Sequence, residues 1–322
     1  MIGAVKEILR RAVAASLRWR ARLSGEPLAI ALVYHRVGDP GEGRWERLVP
    51  ALGSSLFRSQ VEHLLSCYRP MPASELLTAA RARRRGDPIP VAITFDDDLR
   101  SHLEVAAPIL RAAGAPATFF LTGATLDGPF AFWWERLERA IDAAAISQPE
   151  LAALTGAEAT SASAASAARA FAPAIEAMAP EEQDRVSDAL LERLGSDPPS
   201  AGLRSDEVRR LAASFEIGFH TRRHRLLTRL DDEALDAALR DGRDELERTA
   251  AAPLRLIAYP HGKANARVAA SARAAGYEVG FTGAEERIDA GTEPLLVGRF
   301  TPRYAAGGRF ALQLGRALRA DR

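Results

Sequence analysis

Cysteine is almost missing from this chain: Cys67 is the only one among 322 residues. A lone cysteine excludes an intramolecular disulfide and any cysteine-based metal cluster, so a metal site must be built from His, Asp and Glu. Lysine is nearly as scarce. Lys6 and Lys263 stand alone, and arginine supplies almost all the positive charge. The net charge is only +1, so no global field directs the protein toward nucleic acid. Outside the first 25 residues there is no basic strip, and nowhere an aromatic-rich stacking platform, so no nucleic-acid partner is expected. Long apolar runs are absent too. None reaches the length that spans a bilayer, and residues 1–25 lack the uninterrupted apolar core and small-residue cleavage site of a signal peptide. A cytoplasmic or peripheral-membrane location is the expectation.

Residues 1–25 do read as a basic amphipathic helix. Ile2, Val5, Leu9, Ala12, Trp19 and Leu23 share one face, and Lys6, Arg10, Arg11, Arg18 and Arg22 lie mostly on the other. Ser16 and Arg20 interrupt the apolar face. Such a helix either packs on the protein's own body or rests on an anionic membrane surface.

The rest, 26–322, alternates strand-like runs with stretches of helical period. The strand-like runs fall at 28–34, 90–95, 117–123, 215–220, 255–260, 277–283 and 295–300. The helical stretches fall at 57–66, 74–84, 101–113, 231–250, 265–275 and 308–320. Alternation of this kind implies parallel β/α units, and about seven strands suit a barrel better than a small open sheet. Chemistry in such folds gathers at the C-terminal ends of strands. The rhythm breaks over about 133–211, a stretch rich in Ala and Ser. It reads as a helical insertion that either caps the active-site mouth or lies apart from it, with Trp133 and Trp134 as packing anchors.

Two strand ends carry the chemistry. "VAITFDDDLRSH" (91–102) sets Asp96, Asp97 and Asp98 after a β-branched apolar run. Three adjacent carboxylates suit either a helix start capped by Asp98 or a cation with a base beside it. "EIGFHTRRHRLLT" (216–228) ends a second strand with His220 and His224. If the chain turns helical there, both imidazoles share a face, a metal-chelating spacing. Two imidazoles and one carboxylate make the three-ligand, one-open-position set of catalytic zinc. One Asp then binds metal, one acts as base, and the third caps a helix or sits behind the ligands.

"TFDDD", "HTRRH" and "AYPHG", in this order, resemble the metal-dependent polysaccharide deacetylases, the NodB-homology carbohydrate esterases. "LVYHRV" (32–37), "FRSQVEHLL" (57–65), "PILRAAGAPATFFLTG" (108–123) and "AAGYEVGFTG" (274–283) extend the likeness toward the subgroup with YHRV on its first strand. The resemblance covers about 28–135 and 214–300. It implies an α/β fold, a distorted (β/α) barrel with fewer than eight strands. It also implies hydrolysis of N-acetyl groups from amino sugars in a polysaccharide or glycoconjugate, with one divalent metal, zinc being expected. By motif position Asp96 is the base, and Asp97, His220 and His224 hold the metal. Tyr259, Pro260 and His261 form the substrate and oxyanion loop. The chain departs from the pattern in three places. Asp98 replaces a usual Gly. Ala258 replaces the Arg that partners the catalytic Asp, for which Arg299 is the expected substitute. No histidine follows His261, so the late-histidine motif of many family members is absent; the resemblance to the YHRV subgroup implies His35 as the general acid in its place, with His261 as fallback, and His63 and His102 receive no catalytic role. Two other readings remain, a small cyclic amide or imide hydrolase using the same site and a non-catalytic carbohydrate-binding relative. A glycosidase is disfavoured, since it needs opposed carboxylates but no metal-spaced histidines.

Overall fold

The computed structural model describes residues 2–38, 48–157, 164–302, 305 and 307–319. They fall into two units, one drawn from 1–38, 52–124 and 205–322, the other from 39–51 and 125–204. Among the described residues no helix is long and apolar enough to cross a membrane.

The first unit is built on a parallel sheet. β1 (Ile30–Tyr34), β3 (Pro90–Asp96), β4 (Thr118–Leu121), β5 (Glu216–Phe219), β6 (Leu256–Ala258) and β7 (Val279–Phe281) lie side by side in that order, and β2 (Arg69–Met71) also pairs with β3. Every residue of β1 and β3 is buried, which is why these strands read as continuous apolar runs rather than alternating ones. The strands are joined by helices: α2 (Ser54–Cys67), α3 (Leu76–Ala82), α4 (Ala107–Ala113), α9 (Ser205–Ala212), α10 (Asp232–Arg240), α11 (Arg243–Ala250) and α12 (Ala266–Ala274). A long helix, α1 (Ile2–Leu23), precedes β1, and α13 (Gly307–Ala317) follows the sheet. Side-chain caps set several starts: Asp231 accepts from Ala234 N at 2.8 Å and Asn265 from Val268 N at 3.0 Å.

The seven-stranded curled sheet is the distorted barrel of the NodB type, with one exchange of members. The 295–300 run forms isolated bridges, not a strand, through Val297 to Phe281 and Phe300 to Leu32. It therefore links β7 to β1, the two ends of the sheet. Gly298 lies in it where a Cβ would meet Ala284 O at 2.6 Å, so backbone crowds the segment away from regular pairing. The unexpected member is β2, three residues long and centred on Pro70, too short to show a period. The helical stretch 231–250 is likewise two helices. Gly242 separates α10 from α11 with φ +77°, a left-handed conformation that ends a helix.

The second unit contains α5 (Trp133–Asp142), α6 (Gln148–Thr155), α7 (Ala164–Ala177) and α8 (Pro180–Leu194). Leu137, Leu151, Phe171, Ile175, Val186 and Leu190 form its core. Arg136 and Asp197 make a buried ion pair at 2.6 Å. Trp134 stacks on Phe132 with ring centroids 4.6 Å apart, and Trp133 packs against the core. Part of the Ala/Ser-rich segment, 158–163, lies outside the described residues.

Candidate active site

The last residue of β3 is Asp96, and both of its carboxylate oxygens are taken by one guanidinium. Arg299 donates Nη1 to Oδ1 and Nη2 to Oδ2, each at 2.6 Å. Arg299 is 1% exposed. It also donates to Thr94 Oγ1 and to Thr282 O, both at 3.1 Å, and lies over the rings of Phe120 and Phe281. A buried arginine with this many fixed partners is rigid, and the bidentate fork fixes the carboxylate plane. Burial alone would raise the Asp96 pKa, yet Arg299 and neighbouring imidazoles hold it below the ordinary carboxylate range. Thr94 precedes Asp96 by two residues on the same face of the strand. That period-two placement was the available signal for its part in the site.

Asp97 turns the other way because its backbone is left-handed, with φ +74°. Its Oδ1 is buried, accepts no hydrogen bond among the described residues, and stands 3.5 Å from Nε2 of both His220 and His224. His220 Nδ1 donates to Ala258 O at 2.8 Å. A carbonyl only accepts, so Nδ1 carries the hydrogen and Nε2 is left to present a lone pair. A lone pair and a carboxylate oxygen facing each other in a buried pocket repel unless a proton or a cation lies between them. Two ligands about 2.1 Å from a tetrahedral ion lie roughly 3.4 Å apart, close to the separations found. The residues present therefore fit a metal ion, and Asp97, His220 and His224 can hold it.

The electrostatics agree. Burial opposes the Asp97 charge, but His220, His224 and His35 hold its carboxyl far below the usual range. Burial, then His220, pushes His224 well down, favouring the neutral ligand form. Burial would lower His220 too, but Asp96 and Asp97 raise it above its ordinary value, so holding a cation at Nε2 would require His220 in its neutral form. His224 keeps 9% of its side chain exposed.

The HxxxH turn is not helical, contrary to the condition under which its spacing was first read. Thr221 and His224 have φ of +56° and +49°, and His224 N donates to Thr221 O at 3.2 Å. A tight turn flanked by these two left-handed residues brings the rings to 4.9 Å between centroids. His261 completes a row, 4.7 Å from the His224 ring, on a turn where its own φ is +57°. Four of the six positive-φ non-glycine residues among the described ones are Asp97, Thr221, His224 and His261. Left-handed backbone at non-glycine residues is strained and, gathered at one place, makes this the candidate site. Gly262, with φ +64°, lets this loop pass the loop after β7; a Cβ there would meet Gly283 Cα at 2.7 Å.

Other residues fall differently from expectation. Asp98 caps no helix. It accepts from Thr122 N at 2.9 Å and from Thr122 Oγ1, tying the end of β3 to the end of β4. Burial raises its pKa to about 6. The helical segment after it contains a π turn, His102–Ala106, whose N-cap makes no side-chain bond; such turns gather near functional sites. His102 is fully buried, donates Nε2 to His35 O at 3.3 Å, and is pulled down to about 4 by burial. His35 follows β1, near enough to Asp96 and Asp97 to be among the groups that favour their ionised forms. Tyr259 is placed away from the substrate loop's surface: its side chain is fully buried and donates to Leu295 O at 2.9 Å. Pro260 is buried as well, while His261 remains beside the metal-spaced imidazoles. Ala258 has no side chain to reach Asp96.

Comparison with known proteins places this arrangement. The polysaccharide deacetylase family profile matches residues 83–280, well over half the chain, and the chain belongs to that family. The fold and family together make it a hydrolase of the carbohydrate-esterase type. No curated protein sequence matches it. Among solved structures it is similar to the deacetylase PplD of Streptococcus pyogenes, determined in complex with acetate. That match has TM-score 0.60 and 18% identity over 89% of this chain and 97% of the other. It is also similar to IcaB from Ammonifex degensii, at TM-score 0.55 and 16% identity over 92% and 98%. A polysaccharide deacetylase from Bacillus cereus gives 0.58 and 15% over 91% and 70%.

Proposed function

We propose that this chain removes N-acetyl groups from amino sugars in a polysaccharide or glycoconjugate, with one divalent metal held by Asp97, His220 and His224. The observation that carries the reading is Asp97 Oδ1, buried and set between two imidazole Nε2 atoms, with a second carboxylate next to it in the chain. When bound, the metal supplies Lewis-acid polarisation of the amide carbonyl and acidifies water; the N₂O donor set favours zinc and admits cobalt or nickel.

The chain's own groups do the rest. Asp96, kept ionised by Arg299, accepts the proton of the attacking water, and the fork of two hydrogen bonds holds its carboxylate in place while it does so. Arg299 is thus a positioning residue, standing where the family's usual arginine is missing at Ala258. The loop backbone at His261 lies beside the site and is the source of an N–H for the developing oxyanion. His35, at the end of β1 beside the Asp96–Asp97 pair, protonates the departing amine. The first-strand YHRV histidine fits this role in a chain with no late histidine. Acetate in the PplD structure supports the same reaction class.

Acetate release from chito-oligosaccharides tests the reading. Asp96→Asn should lower turnover by roughly 10²–10⁴-fold, the usual contribution of a general base, with metal content unchanged. Near-normal turnover in that variant would remove Asp96 from the role.

A further inference from the structure

One surface is left over by the proposed chemistry: the outer face of α1. The helix is held firmly by its inner face. Glu7 accepts from Gly308 N at the start of α13, and Ala14, 1% exposed, packs where Gly315 of α13 allows close approach. At its far end Arg22 Nε donates to Gly86 O at 3.1 Å and Arg83 donates to Arg22 O at 3.2 Å. Residues 7, 10, 14, 17 and 21 therefore face the body. That register turns Val5, Ile8, Leu9, Val13 and Trp19 outward, and they are 61, 68, 62, 42 and 59% exposed. Five of the six exposed large hydrophobic residues among the described ones lie on this helix. An apolar stripe facing away from the core needs another partner.

The charge of the helix identifies that partner. α1 carries Lys6, Arg10, Arg11, Arg18, Arg20 and Arg22 against the single acidic Glu7, in a chain whose net charge is only +1. At 100° per residue Lys6 borders the stripe beyond Val13, Arg11 lies off its other edge beyond Ile8, and Arg20 projects from within it between Leu9 and Val13. Exposed apolar residues with an interfacial Trp, accompanied by Lys6, Arg11 and Arg20, match the boundary between acyl chains and anionic headgroups. We propose that α1 lies in the plane of an anionic phospholipid surface, its Val5–Trp19 stripe in the lipid and its Glu7–Ala14 face on the protein. The enzyme would then work beside a membrane without spanning it. This inference does not depend on the deacetylase reading.

Co-sedimentation of the full chain with vesicles tests it. Wild type should sediment with mixed phosphatidylglycerol–phosphatidylcholine vesicles, weakly with phosphatidylcholine alone, and less as salt rises. Ile8→Glu with Leu9→Glu should abolish binding, while Lys6→Gln and Arg20→Gln should each weaken it about fivefold. These side chains are exposed, so the thermal melt should stay unchanged. Trp19 fluorescence provides a second reading: a blue shift on anionic vesicles that disappears in Trp19→Phe. Equal sedimentation of wild type and the double glutamate variant would overturn the proposal. So would a wild-type dimer in solution that Leu9→Glu dissociates, since the face would then be covered by a second copy.

Discussion

Arg299→Met tests the electrostatic logic of the site at its most buried point. The substitution keeps an apolar stem but removes the guanidinium that holds Asp96 through two 2.6 Å hydrogen bonds. The two side chains are 1% and 5% exposed, so solvent screens little of the loss. Removing one partner of a buried pair costs roughly 3–5 kcal/mol, because the remaining charge is left uncompensated. The pH dependence separates this cause from lost packing. In wild type the Asp96 carboxyl titrates below its unfolded value, so its stabilisation is present above about pH 4 and fades as pH falls through the folded pKa. Without Arg299, burial dominates and the folded carboxyl titrates above the unfolded one. The penalty is then absent below about pH 4 and grows as pH rises. Urea unfolding of metal-free wild type and Arg299→Met from acid to neutral pH should therefore show a gap that widens with pH. Adding Asp96→Asn to the variant should recover part of it. A cost under about 1 kcal/mol, typical of exposed pairs, would refute the reasoning, and so would a double variant no more stable than Arg299→Met.

The other expectations are simpler. Asp98 has a folded pKa of about 6 against about 4 unfolded, so its ionised form is penalised in the fold and its contribution falls as pH rises across that window. In metal-free protein Asp98→Asn should gain on wild type over the same window by on the order of 1–3 kcal/mol; a flat difference would contradict this. His35→Ala should lose acetate-release rate while keeping its metal, and a variant that loses the metal instead would make His35 a ligand or structural residue.

Part of this site was readable from strand ends. Asp96 and Asp97 close an apolar β-branched run, and His220 follows another, so a parallel barrel brings them to one rim wherever the intervening helices lie. Arg299 lay in the segment next to β1, and the bridges from Val297 and Phe300 bring it to Asp96. What could not be read depends on distant partners or on backbone sign. The side chain of Asp98 is claimed by Thr122, 24 residues onward, and no local pattern announces that. The His220–His224 spacing suits a helical turn as well as the tight turn found between Thr221 and His224, because both bring the two imidazoles together. Tyr259 sits in a motif whose family likeness points to substrate, yet its ring packs inward and its hydroxyl reaches Leu295 O. Gly242 alone breaks a stretch whose apolar period runs on from α10 into α11.

The most direct measurement is the divalent metal content of the purified protein beside that of His224→Ala. The account predicts about one ion per wild-type chain and loss of that ion in the variant, since a three-ligand site with one ligand gone no longer closes around the metal. A wild type that stays empty after zinc is supplied, or a variant that holds metal as tightly as wild type, would contradict the Asp97–His220–His224 centre and the chemistry built on it.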